Sequence, residues 1–349
     1  MDRMDPSPVQ SRACWRARDI AAATKEWIHE LTPAEIDELD AALAHARSKG
    51  LSGTQVTRSD FPLPTLAPLL ERVNDEVSRG LGLFLIRGLP VRNYSKEDAS
   101  TIFWGAGTHI GLPWPQNRSG DLLGNLLDTG KKPDDTSVRY YETNEKLGFH
   151  TDGADIVALL CLRVSRSGGG NHFVSSMAVH DEMARTAPEL LECLYEPFHV
   201  DWRGDHARGA KPYYSMPIFT RDEGHVSSFY LGEYIESAQR FDEVPRLTRR
   251  QRDALECFES LCWSDEFRID LQQEPGDMSF ISNLVTLHAR EAFQDFDDPE
   301  ERRHLRRLWL ASARTAHRPP LLQLLYDQRI GEARRELAES GASSPALQR

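Results

Sequence analysis

The stretch GFHTDGADIVALLCL, residues 148–162, constrains the fold of this chain more than any other. It predicts a strand whose apolar run follows directly after a histidine and an aspartate two positions apart. Because side chains alternate along a strand, His150 and Asp152 share a face and Thr151 points the other way. Polar groups aimed into a protein interior need a partner. That partner is either a metal ion or a hydrogen bond between the two side chains at the strand end.

Short apolar or alternating runs recur between turn signals through the chain, which is typical of a β-sandwich or barrel. Helical patterns flank and interrupt them, so the sequence predicts a mainly β fold with flanking helices (α+β). The strand-like runs are GLGLFLIRGLP, DLLGNLLDTG, IVALLCLRV, NHFVSSMAV, SMPIFTRDEGHVSSFYL, FRIDLQQEPGDMSFISNLVTLHAR and RRHLRRLWLASAR.

Capping signals mark where the helices begin. Thr32 and Glu35 form a capping box with a proline in the first turn, and Thr248 opens a Thr-x-x-Gln box before a second helix. A third helix is predicted over residues 95–109, where Ser95 stands at the start.

The 349 residues can bury a large core and fit one large domain. We expect residues 1–12 to be disordered and residues 13–318 to form a single domain with N-terminal helices. Residues 319–349 are expected to add a C-terminal helix and a loose tail.

The charge balance excludes some functions. The net charge is −12, from 42 basic and 54 acidic residues, which argues against binding of nucleic acid or of an anionic membrane. No stretch approaches the ~20 apolar residues of a membrane span, and the first residues show no apolar signal segment. The five cysteines are irregularly spaced without a CxxC pair. We therefore expect reduced thiols and a cytoplasmic location.

A third metal ligand would have to come from elsewhere, and His288 is the best candidate among the twelve histidines. It ends the alternating run after the PGD turn, 138 residues beyond His150 (288 − 150). Strands so far apart in sequence can be neighbours in a closed antiparallel barrel. Two histidines and one carboxylate form the facial triad of non-haem Fe(II) oxygenases, while zinc accepts the same ligands.

Four arginines in ERRHLRRLWL form a second cluster. Alternation places Arg303 and Arg307 on one face of this strand and Arg302 and Arg306 on the other. Leucines and a tryptophan crowd the segment, so at least one face is buried, and a buried arginine needs a carboxylate or a phosphate. A solvated basic edge strand is the alternative.

Three segments together resemble the TauD/TfdA family of Fe(II)/2-oxoglutarate-dependent dioxygenases: FHTDGADIVALLCLRVSRSGGGNHFVSS, GDMSFISNLVTLHAREAF and RRHLRRLWL. The resemblance implies a double-stranded β-helix (jelly roll, clavaminate synthase-like) with helices packed outside. It implies Fe(II) on His150, Asp152 and His288. It also implies O2 as co-reactant and 2-oxoglutarate with its distal carboxylate on Arg303.

The resemblance extends to the surroundings of the metal. Where the family places a threonine or serine near that carboxylate, this chain has Asn171 or His172, depending on the alignment. Arg307 falls where some members bind an anionic substrate group, and a structural ion pair is the alternative. Candidate substrate contacts are Tyr141, Asn144, Tyr213, Tyr214 and Phe229.

The implied function is hydroxylation, or another oxidation, of a small molecule, coupled to decarboxylation of 2-oxoglutarate to succinate and CO2. Halogenating relatives carry alanine or glycine at the position of Asp152, so its aspartate favours hydroxylation.

Two other classes could use the same ligands: a zinc-dependent hydrolase, which gives Arg303 no role, and a non-catalytic β-helix module that senses a metal or ligand. The expected partner is a small-molecule substrate, anionic if Arg307 binds it, and the terminal helices could join copies into a homo-oligomer.

Overall fold

The computed structural model describes residues 8–117, 119–132, 138–206, 209–315, 317–320, 322–324 and 326–328. Along these residues the α-helices are α1 (Ala17–Ala22), α2 (Thr24–Trp27), α3 (Pro33–Ser48), α4 (Ala67–Arg79), α5 (Lys96–Ile110), α6 (Ser176–Thr186), α7 (Pro188–Leu194), α8 (Gly232–Ala238) and α9 (Arg249–Trp263). The strands are β1 (Ile28–Glu30), β2 (Leu83–Arg87), β3 (Leu112–Pro113), β4 (Leu123–Leu126), β5 (Leu147–His150), β6 (Ile156–Arg163), β7 (Ser167–Gly168), β8 (Asn171–Ser175), β9 (Pro197–Asp201), β10 (Tyr213–Pro217), β11 (Phe219–Asp222), β12 (His225–Ser228), β13 (Arg268–Leu271), β14 (Met278–Ser282), β15 (Thr286–Arg290), β16 (Phe293–Gln294) and β17 (His304–Ala311).

Two sheets form the centre of the fold. The larger runs β1-β2-β14-β6-β17-β3, with β4 also paired to β17, and the smaller runs β13-β8-β15-β5. Val157, Leu159 and Trp309 of the larger sheet share one buried cluster with Phe173 of the smaller. The sheets therefore pack face to face as in a jelly roll, and the predicted mainly β fold with flanking helices is confirmed.

Helices cover the outer face of each sheet. On β6, Val157 and Leu159 point to the inner cluster, whereas Ala158 and Leu160 pack outward with residues of α3, α4 and α5. Because both faces of β6 are buried, its sequence is a continuous apolar run rather than an alternating one. Residues of α6, α7 and α9 cover the smaller sheet in the same way.

The capping signals locate the helices correctly, and one of them corrects a strand prediction. Thr32 Oγ1 accepts a hydrogen bond from the Glu35 N–H (3.3 Å) at the start of α3, and Thr248 caps α9. The run NHFVSSMAV, predicted as a strand, is strand only as far as Ser175. The Ser175 hydroxyl accepts a hydrogen bond from the Ala178 N–H (3.0 Å), and α6 begins there.

The N-terminal segment is bound to the rest of the domain from residue 8 onward. The Val9 N–H donates to the Asp181 carboxylate at 2.9 Å, and Arg12 pairs with Glu76 at 3.0 Å. The expectation of disorder is therefore wrong for residues 8–12, while residues 1–7 lie outside the described part of the chain.

The C-terminal segment is helical at residues 320, 322–324 and 326–328. The rest of the expected helix and tail, residues 329–349, lies outside the described residues. Among the helices that are described, none combines the length and the apolar character needed to cross a membrane.

Candidate active site

His150 and His288 lie directly opposite each other on neighbouring strands. The antiparallel register of β5 and β15 pairs the two residues. Their ring centroids are 4.2 Å apart with planes inclined by 51°, and both side chains are buried. Strand pairing thus brings together two imidazoles that are 138 residues apart in sequence (288 − 150).

Asp152 follows in the turn after β5, and two hydrogen bonds with Asn283 set the path of that turn. Asn283 Oδ1 accepts from the Asp152 N–H at 2.9 Å, and its Nδ2 donates to the Ala154 carbonyl at 2.9 Å. Asp152 Oδ2 then lies 3.9 Å from His288 Nε2. In the sequence the one signal for Asn283 is a polar residue between the apolar positions of β14 and β15.

The surroundings favour the protonation states that bind a metal. Burial by itself would raise the pKa of Asp152, but the positive charge of Arg307 outweighs burial and lowers the pKa, so the carboxyl group stays ionised. Burial lowers the pKa of His288 to about 3, which keeps that ring neutral. His150 Nδ1 lies 2.9 Å from the Gly148 carbonyl, so we assign the proton to Nδ1 and the free lone pair to Nε2.

Arg307 occupies the other side of the Asp152 carboxylate. Its Nη1 donates to Asp152 Oδ1 at 3.2 Å, and its Nε donates to Gln116 Oε1 at 2.7 Å. The guanidinium also lies over the rings of Tyr141 and Trp309, 4.6 and 5.1 Å from their centroids. The predicted alternative of a structural ion pair is therefore present.

The imidazole and carboxylate donors around Asp152 fit a divalent ion, although they stand farther apart than the ligands of a bound ion do. In the described part of the chain, no three His, Cys, Asp or Glu side chains stand close enough to hold a metal ion as they are placed. Two donors at right angles, each about 2.1 Å from an ion, lie about 3 Å apart. The 3.9 Å between His288 Nε2 and Asp152 Oδ2 needs to shorten by roughly 1 Å to reach that separation. Two neutral imidazoles and one carboxylate are the donor set that suits non-haem Fe(II).

Arg303 lies in the same cavity, and among the described residues no carboxylate lies within ion-pair distance of its guanidinium, although its backbone N–H donates to Asp295 Oδ1 at 2.8 Å. The predicted alternation is confirmed, because Arg303, Leu305 and Arg307 line the cavity while Arg302 is exposed. Arg303 is 4% exposed, its Nη1 is buried without a hydrogen-bond partner, and burial lowers its pKa. Because an unpaired buried cation is costly, this end of the cavity favours an anion.

The alternation of β8 distinguishes Asn171 from His172. Asn171 lines the cavity, and its Nδ2 donates to Gln273 Oε1 at 2.8 Å. His172 points to the opposite face, where its Nδ1 lies 2.6 Å from Asp270 and its ring packs near Trp263. The prediction of His172 as a cosubstrate contact is therefore wrong, because a strand turns neighbouring side chains to opposite faces.

Aromatic residues form the remaining wall of the cavity. Tyr141, Tyr214 and Phe229 contribute to it, as the sequence predicted. Asn144 does not, because its side chain is exposed; its carbonyl accepts a hydrogen bond from the Phe293 N–H. The cavity also contains side chains that the sequence analysis did not select: Leu126, Arg139, Tyr140, Leu147, Trp202, Tyr234 and Arg290.

Known proteins resemble this chain over most of its length. The family model for taurine catabolism dioxygenase TauD, TfdA family, matches residues 47–309. FR-33289 synthase of Streptomyces rubellomurinus is 31% identical over 309 residues, which cover 87% of this chain and 90% of that protein. Taurine hydroxylase-like protein SAT17 of Stachybotrys chartarum is 26% identical over 288 residues, covering 80% and 73%.

Solved structures share the fold. Asparagine oxygenase in complex with Fe(II), 2S,3S-3-hydroxyasparagine and succinate superposes with a TM-score of 0.64 at 16% identity, covering 82% of this chain and 93% of that one. The non-haem iron oxygenase OrfP in complex with Fe and alpha-ketoglutaric acid gives a TM-score of 0.60 at 16% identity, with coverages of 82% and 94%. At this level of identity the likeness establishes a common fold.

Proposed function

Because this chain belongs to the TauD/TfdA family, and is thus an Fe(II)- and 2-oxoglutarate-dependent dioxygenase, we propose that His150, Asp152 and His288 hold its Fe(II). The observation that carries this assignment is the pairing of His150 with His288 across β5 and β15. The Asp152 carboxylate, 3.9 Å from His288, completes the set. Three protein ligands on one side of the ion leave positions open for the cosubstrates.

The cosubstrate 2-oxoglutarate is proposed to place its distal carboxylate on Arg303. The support is a guanidinium that is buried in the cavity with an unpartnered Nη1. A fork of N–H donors binds a carboxylate through two hydrogen bonds. Asn171 is the proposed second donor, because its amide keeps one N–H beyond the hydrogen bond to Gln273.

Bound Fe(II) supplies the oxidising chemistry that couples substrate oxidation to conversion of 2-oxoglutarate into succinate and CO2. The protein's own residues orient and shield. Asn283 directs Asp152, and the Gly148 carbonyl holds the His150 ring. Buried Trp309 and Phe229 help to keep water away from the reacting groups. Since Asp152 occupies the position that alanine or glycine would leave open, we infer hydroxylation rather than halogenation.

The substrate is proposed to be a small molecule that carries an anionic group. Arg307 uses Nη1 for Asp152 and Nε for Gln116, and its Nη2 makes no hydrogen bond with the described residues. Arg307 lines a cavity that also has aromatic walls, including Tyr141 and Phe229. An anion near Nη2 would leave the remainder of the substrate against these rings.

Anaerobic protein mixed with Fe(II) and 2-oxoglutarate tests the proposed function. We expect a visible metal-to-ligand charge-transfer band, and succinate formation after O2 and substrate are admitted. A colourless mixture that forms no succinate would favour the zinc-dependent hydrolase. Tight iron binding without 2-oxoglutarate binding would favour the non-catalytic module.

We also propose a reducing, cytoplasmic setting. All five cysteines are free thiols, and Cys161, Cys193 and Cys262 are buried. Buried free cysteines behave as small apolar residues and need no oxidising compartment.

A further inference from the structure

Arg290 lies at the same end of the cavity as Arg303. It stands two residues beyond His288 on β15, so alternation turns both side chains to the same face. The register of β15 and β8 places it directly opposite Asn171. Like Asn171 and Arg303, it lines the cavity, and it is 6% exposed.

The hydrogen bonds of Arg290 leave part of its guanidinium unused. Nη2 donates to the carbonyls of Thr143 (2.9 Å) and Glu145. Nε is buried without a hydrogen-bond partner. In the described part of the chain, no carboxylate lies within ion-pair distance of this side chain.

One ring links the two buried arginines. The guanidinium carbons of Arg290 and Arg303 lie 4.8 and 5.1 Å from the centroid of Phe293. The two guanidinium carbons are therefore at most 9.9 Å apart (4.8 + 5.1). Two buried cations in one cavity repel, and each keeps one unsatisfied N–H. An anion with several acceptor oxygens in the cavity that both arginines line offsets the repulsion and satisfies the donors.

We propose that Arg290 is a second cationic contact for the distal carboxylate of 2-oxoglutarate, which it holds together with Arg303 and Asn171. This proposal rests on the cosubstrate site described above. It makes Arg290 a specificity-determining residue, because a 2-oxo acid without a distal carboxylate gains nothing from it. A purely structural Arg290, which only holds the carbonyls of residues 143 and 145, is the competing explanation.

Two 2-oxo acids separate these explanations. Anaerobic Fe(II) enzyme is titrated with 2-oxoglutarate and with 2-oxopentanoate, which has the same chain length but no distal carboxylate, and binding is followed by the charge-transfer band. Arg290→Gln should weaken 2-oxoglutarate binding by about ten-fold or more, since a hydrogen bond to a charged group contributes that much. Binding of 2-oxopentanoate should change less than about two-fold.

Controls keep the result decisive. Arg302→Gln, on the exposed face of the same cluster, should match the wild type for both acids, and iron content reports whether each variant is folded. Arg290→Lys keeps a positive charge and should bind 2-oxoglutarate more tightly than Arg290→Gln does. If the glutamine variant loses iron, the two acids are compared in Arg290→Lys, where 2-oxoglutarate binding should weaken more than 2-oxopentanoate binding. Equal weakening for both acids, or unchanged 2-oxoglutarate binding, overturns the proposal. Wild-type enzyme that binds neither acid overturns the proposed function itself, whereas wild-type binding with unaffected Arg290 variants overturns only this inference.

Discussion

Replacing Arg303 with methionine should stabilise the ligand-free enzyme while removing most of its affinity for 2-oxoglutarate. Arg303 is 4% exposed and buries an Nη1 that has no partner. An unsatisfied buried donor costs about 1–3 kcal/mol, and methionine fills much of the same volume without that donor. Loss of the contact with Phe293, a cation–π interaction of about 0.5–2 kcal/mol, offsets part of the gain. We expect a net rise of about 1 kcal/mol in the free energy of unfolding, or roughly 2 °C in Tm.

The affinity should move in the opposite direction. Two charge-assisted hydrogen bonds to a carboxylate contribute about 1.5–3 kcal/mol each, so losing both weakens 2-oxoglutarate binding by at least about 100-fold. Thermal denaturation with and without 2-oxoglutarate measures both effects, with the exposed Arg302→Met as the control. A ligand-free Arg303→Met protein that melts below the wild type would show that the guanidinium is already satisfied. Undiminished stabilisation by 2-oxoglutarate would place the carboxylate elsewhere.

Two substitutions and one thiol-labelling experiment test other parts of the site and the fold. His288→Ala should lose its iron because two protein ligands hold Fe(II) weakly, and a folded variant with wild-type iron content in a colorimetric assay would remove His288 from the site. Asn283→Ala should weaken iron binding by roughly ten-fold, since it leaves the Asp152 N–H unsatisfied and frees the turn. Competition with a chelator measures this, and an unchanged affinity would contradict it. Burial and Asp181 raise the pKa of Cys14 to about 12, so at pH 8 iodoacetamide should modify it roughly a thousand-fold more slowly than an ordinary thiol. The rate should rise about ten-fold per pH unit up to pH 11, because only the thiolate reacts. Mass spectrometry after labelling reads this out, and rapid modification at pH 8 would show that the thiol is ionised.

Local patterns in the sequence predicted much of the secondary structure. The capping residues Thr32 and Thr248 marked true helix starts. The spacing in ERRHLRRLWL correctly separated Arg303 and Arg307 from Arg302. These features depend on neighbouring residues, so covalent geometry and nearby hydrogen bonds are enough to decide them. The strand prediction for NHFVSSMAV is wrong for a local reason as well. Its apolar content favours a strand, but the side chain of Ser175 caps a helix that begins within the run.

The composition of the site depended on contacts that no local pattern contains. The sequence and its family resemblance predict residues 150, 152 and 288 as ligands, but whether they meet depends on which strand lies next to β5. Only the tertiary structure places the exposed Asn144 outside the cavity, and only the facing of β8 separates Asn171 from His172. Asn283 and Arg290 were not selected, because an asparagine in an apolar run and an arginine after a histidine have many ordinary explanations.

The sequence by itself therefore determined which side chains share a face, since the alternation of a strand is a property of its own backbone. Tertiary structure decided which faces meet, and with that whether an arginine has a carboxylate beside it. Arg307 has one in Asp152, whereas among the described residues no carboxylate lies within ion-pair distance of the Arg303 or Arg290 guanidinium. The physical reason is that strand register follows from the packing of both whole sheets, and the energy of a buried charge follows from the few groups that this packing places around it.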